Sequence, residues 1–275
     1  MYEIVTKREL ARRIDLFEFS AQQIAAKTKP GQFVILRIDE KGERVPLTIA
    51  GADVQRGTIT LVCHEVGRTT KKLGSLKEGD CISDLLGPLG KPAQIEKFGT
   101  VLCVGGGVFV APLHFQAEAL HEKGNRVIGI IGATTEDELI YEDEMRRVCD
   151  ELHVATDDGT KGHRGLDFLG DVLKEQKIDR AITMGPIAMM KKVAELTRPY
   201  SIPTIANLIP VMVDGMGMCG ACRVTVGGKT MFACVDGPDF DGHQVDFDGL
   251  MTRLKIFAPQ EKLSFKVYEK GGRGP

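Results

Sequence analysis

Short apolar runs separated by glycine dominate the first part of the chain. Segments 32–38, 45–50, 58–66 and 80–86 are rich in β-branched and other apolar residues, and Gly31, Gly42, Gly57 and Gly79 punctuate them. That pattern predicts strands joined by turns. One helix is expected, over 68–76. Many short strands with scarcely a helix predict a small antiparallel β-barrel over residues 1–97. The rhythm changes at Gly99. Apolar strand runs at 100–104, 126–131, 151–156, 180–184 and 203–208 alternate with helical stretches, one ending near 123 and others at 136–148, 166–175 and 187–197. Alternating strands and helices predict an α/β unit, a doubly wound parallel sheet with right-handed crossovers, over 98–209. From 210 to 275 the pattern breaks into a small module that opens rich in glycine, methionine and cysteine.

Composition narrows the classes of function. A formal net charge of −2 over 275 residues offers no basic surface to nucleic acid or to an anionic membrane. No apolar run reaches the roughly 18–20 residues that cross a bilayer. The first residues mix charged and apolar side chains and lack the apolar core of a secretory signal, so a cytoplasmic protein is expected. In that reducing setting, clustered cysteines bind metal or do redox chemistry more often than they form disulfides. Cys63, Cys81, Cys103 and Cys149 stand apart and read as small buried hydrophobes, whereas Cys219, Cys222 and Cys234 fall within 16 residues.

Those three cysteines carry the strongest chemical signal. The spacing is Asp214-x4-Cys219-x2-Cys222-x11-Cys234. A plant-type [2Fe–2S] loop reads Cys-x4-Cys-x2-Cys with a distant fourth cysteine, so Asp214 stands where the first cysteine ligand would be. Gly215, Gly217 and Gly220 let such a loop wrap a cluster and aim backbone N–H groups at its sulfurs. Segments 223–226 and 230–233 read as a hairpin turned by Gly227-Gly228, which returns Cys234 to the loop. Two other readings stay open, a zinc site with three cysteines and one aspartate or three unligated thiols; zinc favours paired Cys-x2-Cys knuckles, and one such pair is present.

Gly105-Gly106-Gly107 lies between a strand and a helix, where backbone amides and a helix start approach a pyrophosphate. It also suits a plain tight turn, and it departs from Gly-x-Gly-x-x-Gly because Val110 fills the last place. Gly132-Ala133 and Gly185-Pro186 follow strand runs as well, and ligands of open α/β sheets bind beyond the strands' carboxyl ends. In the barrel, Thr48 offers a hydroxyl to an isoalloxazine nitrogen, and Thr69 and Thr70 stand at a helix start where phosphate oxygens bind. The plainer readings are β-propensity for Thr48 and an N-cap for Thr69. No histidines have metal spacing, and no Gly-x-Ser-x-Gly element occurs.

The order of barrel, doubly wound sheet and cysteine loop resembles the ferredoxin–NADP reductase superfamily, and within it the branch of the dihydroorotate dehydrogenase electron-transfer subunit. Leu86-Gly87-Pro88-Leu89-Gly90, Gly105-Gly106-Gly107 and the cysteine segment carry the likeness over nearly the whole chain. Asp214 in the first-ligand place, Val45-Pro46-Leu47-Thr48 and Gly162-His163-Arg164-Gly165 are similar to a narrower family. This is the small-subunit family of NADH-dependent reduced ferredoxin:NADP+ oxidoreductase, also described as the sulfide dehydrogenase beta subunit.

The resemblance implies an antiparallel FAD-binding barrel, an NAD(H)-binding sheet domain and a C-terminal [2Fe–2S] module. It assigns Pro46, Leu47, Thr48, Cys63, His64, Glu65, Thr69 and Thr70 to FAD, with Thr48 as the flavin hydrogen bond. Gly105, Gly106, Gly107, Gly132, Ala133, Gly185 and Pro186 go to NAD(H), and Asp214, Cys219, Cys222 and Cys234 to the cluster. It implies hydride exchange between NAD(H) and FAD coupled to single-electron exchange with the cluster. The implied partner is a larger flavoprotein with [4Fe–4S] clusters that handles NADPH and ferredoxin, in a heteromeric and bifurcating complex. Two features depart from the superfamily pattern: Arg44 sits one place early for the flavin motif, and Leu47 replaces its aromatic. Residues 132–135 hold no arginine to pair with a 2′-phosphate. The alternatives are a dihydroorotate dehydrogenase electron-transfer subunit and a non-catalytic zinc-stabilised subunit.

Overall fold

The computed structural model describes residues 1–269. Its first sheet contains β1 (Tyr2–Ala11), β2 (Ile14–Ser20), β3 (Phe33–Arg37), β4 (Val45–Asp53), β5 (Thr58–His64), β6 (Cys81–Ile82) and β7 (Asp84–Leu89), with short helices α1 (Gln22–Ala25) and α2 (Arg68–Gly74) between them. The order is β6-β1-β2-β5-β4-β3-β7, antiparallel throughout. The two edge strands follow each other in the chain, so the sheet curls into the expected, nearly closed barrel. The hairpin of β1 and β2 was not among the expected strands. β1 reads YEIVTKRELA and only Ile4 in it is buried, so its charged, half-exposed sequence hides the alternation of a strand. The single run expected at 80–86 is two strands that split at Ser83.

The second sheet is built from β8 (Thr100–Gly106), β9 (Arg126–Ala133), β10 (Glu151–Thr156), β11 (His163–Arg164), β12 (Arg180–Met184) and β13 (Thr204–Asn207). Helices α3 (Val110–Glu122), α4 (Glu142–Val148), α5 (Leu169–Glu175) and α6 (Ile187–Thr197) connect them. All these strands pair in parallel, in the order β11-β10-β9-β8-β12-β13. β8 is apolar and buried after its first residue, as a strand covered on both faces must be. The winding reverses between β8 and β12, where Gly105 pairs with Met184, and such a switch point opens a crevice at the carboxyl ends.

The acidic stretch 136–148 is not one helix. It makes a short turn over Glu136–Glu138, and α4 begins only after Tyr141, which adopts a left-handed backbone with φ 61. Ile140 is buried and the Tyr141 ring packs edge-on against His114, so burying an apolar pair interrupts the helix. Likewise α5 starts at Leu169, later than the pattern predicts.

The last segment adds a hairpin of β14 (Arg223–Val226) and β15 (Lys229–Phe232), a strand β16 (Asp239–Asp241) antiparallel to β13, and two unanticipated helices, α7 (Phe247–Leu254) and α8 (Ala258–Glu269). Cores cross all three segments. Ile14, Leu16, Ala50 and Val62 of the barrel pack with Val101, Cys103, Val110 and Leu113 of the sheet unit. Phe33 and Ile35 share another core with Met190, Ala206, Cys222, Cys234 and Phe247. The barrel, the sheet and the cysteine hairpin are therefore held in fixed relation by burial.

Candidate functional site

Between β13 and β14, residues 208–222 run without helix or strand, and Asp214 organises this loop. Its Oδ1 accepts the Met216 N–H at 2.9 Å, and its Oδ2 accepts those of Met218 at 3.1 Å and Cys219 at 2.6 Å. Those amides, Met216's first, hold the Asp214 carboxyl below the usual carboxylate range. Gly215 follows with φ +71, and a Cβ there would lie 2.6 Å from Leu89 Cδ1 and 3.1 Å from Ile35 Cγ1. The loop thus rests on β7 and β3 of the barrel, at a distance that only glycine permits.

Cys222 and Cys234 are buried with their sulfurs 3.2 Å apart, well beyond the ~2.05 Å of a disulfide. The Cys234 N–H points at Cys222 Sγ at 3.5 Å, and the Ala221 N–H points at Cys219 Sγ at 3.5 Å. Burial, and then the neighbouring Cys222 sulfur, push the Cys234 thiol up. Cys219 is exposed on the loop above them. Among the described residues no three histidine, cysteine, aspartate or glutamate side chains converge as a metal site; the structure joins Cys222 to Cys234 and leaves Cys219 and Asp214 on the loop beside them. The donor set still fits an iron–sulfur cluster, because the thiols are soft ligands that lose their protons on binding and backbone N–H groups already face two of the sulfurs.

A cleft of about 540 Å³ opens where the winding reverses, lined by Gly105, Gly106, Gly107, Gly132, Ala133 and Pro186 and closed on the barrel side by Ile14 and His64. Gly185 lies beneath it, where a Cβ would meet Met189 Cε at 2.6 Å. The three glycine turns that follow strand runs, at 105–107, 132–133 and 185–186, therefore meet around one crevice. A floor without side chains fits the close approach of a dinucleotide's backbone. Sequence reasoning missed Glu138, Asp157, Met189 and Lys192, which also line the cleft. Asp157 follows β10 directly, so the rule that pointed to Gly132 applied to it as well.

The barrel residues are more scattered. Thr48 on β4 is buried, and its hydroxyl has no hydrogen-bond partner; an orphaned buried hydroxyl fits a missing ligand. Pro46 and Leu47 precede it on β4, half-buried, and pair with Ile35 and Val34 of β3. Thr69 Oγ1 donates to Glu43 Oε2 at 2.5 Å, so a carboxylate meets the hydroxyl expected to hold phosphate. Thr70 serves as a local cap instead: its hydroxyl accepts from the amides of Val66 and Gly67 and donates to Gly67 O. Cys63 is buried, and burial first, then Asp15 and Glu65, push its thiol up to about 12; it offers backbone, not chemistry. His64 reaches the nucleotide cleft, and the Glu65 N–H is tied to Arg13 O.

The model for the iron–sulfur cluster binding domain of dihydroorotate dehydrogenase B matches residues 210–246, the loop and hairpin just described. The chain is 45% identical over 270 residues to a dihydroorotate dehydrogenase B (NAD(+)) electron transfer subunit homolog of Thermotoga maritima, covering 98% of this chain and 95% of that one. It belongs to the family of dihydroorotate dehydrogenase B electron-transfer subunits and their homologues. A solved structure of an NADH-dependent reduced ferredoxin-NADP oxidoreductase, studied for flavin-based electron bifurcation, matches with a TM-score of 0.92 and 44% identity over 98% of each chain. Phthalate dioxygenase reductase shares the fold alone, with a TM-score of 0.60 and 18% identity over 82% of this chain and 85% of that one. This electron-transfer subunit is part of a flavin and iron–sulfur oxidoreductase, and its cofactors are a flavin, NAD(H) and an iron–sulfur cluster. Among the described residues, no helix is long and apolar enough to cross a membrane.

Proposed function

We propose that this chain is the small subunit of an NADH-dependent reduced ferredoxin:NADP+ oxidoreductase, working in the cytoplasm beside a larger subunit. That partner carries a flavin and [4Fe–4S] clusters and handles NADPH and ferredoxin, and the complex bifurcates electrons. The observation that carries this reading is Asp214. It stands in the first-ligand place, and its carboxylate gathers the amides of Met216, Met218 and Cys219. A carboxylate gathers these amides with two strong acceptor atoms, where a cysteine would offer one weaker acceptor, its sulfur. Asp214, Cys219, Cys222 and Cys234 hold the cluster.

FAD held here would supply hydride exchange with NAD(H) and single-electron exchange with the cluster. Thr48 donates its hydroxyl to the flavin, with Pro46 and Leu47 beside it; Cys63 to Glu65 line the adenosine side, and the backbone at Thr69 and Thr70, whose hydroxyls are engaged by Glu43 and Gly67, faces the phosphates. Gly105 to Gly107, Gly132, Ala133, Gly185 and Pro186 form the NAD(H) crevice. Asp157 in the same crevice accepts ribose hydroxyls and repels a 2′-phosphate, which favours NAD(H). Because Gly215 lies against Ile35, and Ile35 pairs with Pro46, the cysteine loop and the flavin strand are supported by the same strand, β3. That contact keeps the route between cluster and flavin short.

Anaerobic purification with the native partner tests the whole reading. The expected preparation has flavin and iron–sulfur absorption, a large flavoprotein partner, and activity that needs NADH, NADPH and ferredoxin together. Recovery with a dihydroorotate-oxidising subunit would establish the second reading, which the family match at 210–246 favours. A colourless protein would remove the redox reading altogether.

Two residue tests are more local. Thr48→Val removes an unpartnered buried hydroxyl at nearly constant volume. It is expected to leave the apoprotein as stable or more so, while FAD binds roughly 3–10-fold more weakly, one hydrogen bond's worth. Fluorescence titration of the apoprotein with FAD reads this, and unchanged affinity would free Thr48 from its role. Asp214→Ala deprives three loop amides of their acceptor, and cluster loss on dilution is expected to speed up by roughly tenfold or more. Iron released with time measures it; an unaltered rate would show that Asp214 neither ligates nor shapes the loop.

A further inference from the structure

We propose that Arg223 and Arg253 form a guanidinium pair behind the cysteine loop that raises the reduction potential of the cluster held there. The inference rests on the cluster reading above and adds two residues that the ligand motif does not contain. Arg223 opens β14, and Arg253 comes from α7, some thirty residues beyond the loop.

The contacts are specific. Arg223 Nη1 donates to Gly220 O at 3.1 Å, and the N–H at the other end of that same peptide, Ala221's, points at Cys219 Sγ at 3.5 Å. Positive charge on the carbonyl side of a peptide strengthens the hydrogen bond its N–H gives. The first guanidinium therefore acts on a ligand sulfur through one peptide unit. Arg253 Nη2 donates to Ala221 O at 3.1 Å, the carbonyl of the next peptide, whose N–H belongs to Cys222. The two arginines thus grip successive peptides between two ligand cysteines.

Their charges are not cancelled locally. Arg253 is half-buried; burial opposes its charge, as does Arg223 beside it, while the Cys222 sulfur favours it. Both arginines line a cavity of about 330 Å³ with Thr225, Thr230 and Asp246. Asp246 is the one carboxylate there, and it accepts the Gly249 N–H at the start of α7. Among the described residues neither arginine has a carboxylate within ion-pair distance. Two like charges brought together without a counter-ion are unfavourable unless negative charge lies nearby, and a thiolate-ligated cluster supplies it. When the cluster gains one electron, no bond is made or broken and the negative charge beside the arginines grows. They stabilise the reduced form more than the oxidised one, so the potential rises.

The test is a mediated redox titration of the intact protein, with dithionite as electron donor and the reduced cluster followed by electron paramagnetic resonance. Arg253→Gln should retain the cluster but disfavour its reduction by about tenfold, which for one electron is about 59 mV to more negative potential. Arg253→Lys keeps the charge and should shift less than half as far. Arg223→Gln should shift in the same direction, and the double variant further than either. Loss of the cluster in Arg253→Gln with a normal potential in Arg253→Lys would also support the charge assignment. An unchanged potential in both glutamine variants, a lysine shift equal to the glutamine shift, or cluster loss in both Arg253 variants would overturn it. A wild-type protein with no iron–sulfur resonance would overturn the cluster reading itself, and this proposal with it.

Discussion

Cys234→Ala is expected to empty the iron–sulfur site while leaving the flavin bound. Cys234 is buried, its sulfur sits 3.2 Å from that of Cys222, and its backbone N–H faces the same atom. Its neighbour Ala233 donates its N–H to Cys222 O at 3.1 Å, so the hairpin that returns the residue persists without the thiol. Alanine removes one small buried sulfur at a cost of about 1 kcal/mol, too little to unfold a domain with this much shared core. A cluster deprived of a thiolate is a different matter. Iron content should fall close to zero, and electron delivery to the partner by roughly 100-fold or more, since even changes behind the ligands cost ~10–100-fold. Reduction of the flavin by NADH should continue, because the nucleotide cleft and β4 lie outside the hairpin. Cys103→Ala is the control: this thiol is fully buried among the apolar residues of the sheet core, and burial pushes it up and keeps it protonated. It should leave iron unchanged. Equal iron content in both variants would exclude Cys234 as a ligand.

What could be read without coordinates, and what could not, follows from how local each signal is. β8 ends in glycine and β12 is followed by one, so both the strands and the crevice beyond them are encoded within a few neighbouring residues. The cysteine spacing is equally local. The hairpin of β1 and β2 was missed because β1 is mostly exposed and carries Lys7, Arg8 and Glu9 in its second half; its place is set by pairing with β2 and β6, not by its own pattern. The break at Tyr141 depends on His114 in another helix. The pairing of Thr69 with Glu43, 26 residues apart, and the approach of Arg253 to Ala221, 32 residues apart, are products of the closed fold. Motifs report backbone turns well. Side chains gathered from distant elements become visible only once the layers are packed.

Gly106→Val should abolish productive NADH binding with little effect on FAD or cluster. Gly106 is buried at the end of β8, with φ −130 and ψ 133, a conformation that valine adopts without strain. The consequence of the substitution is therefore steric. A Cβ at this position would lie 2.7 Å from Met189 Sδ and 3.0 Å from Pro186 Cδ. Met189 is flexible and can swing aside, but Pro186 is rigid and leads into α6. The added methyls are thereby driven into the cleft, where a dinucleotide would rest. Overpacking of this kind costs about 1–3 kcal/mol. The KM for NADH is expected to rise by roughly 10–100-fold, with turnover at saturation, flavin content and iron content close to wild type. Its neighbour separates space from conformation: Gly107 has φ +58 and nothing within 4 Å of an added Cβ. Gly107→Ala should therefore cost stability, about 1 kcal/mol for the left-handed backbone, with only a small change in KM. If the two variants exchanged these effects, or if Gly106→Val bound NADH normally, the nucleotide would not lie across the floor formed by β8 and β12.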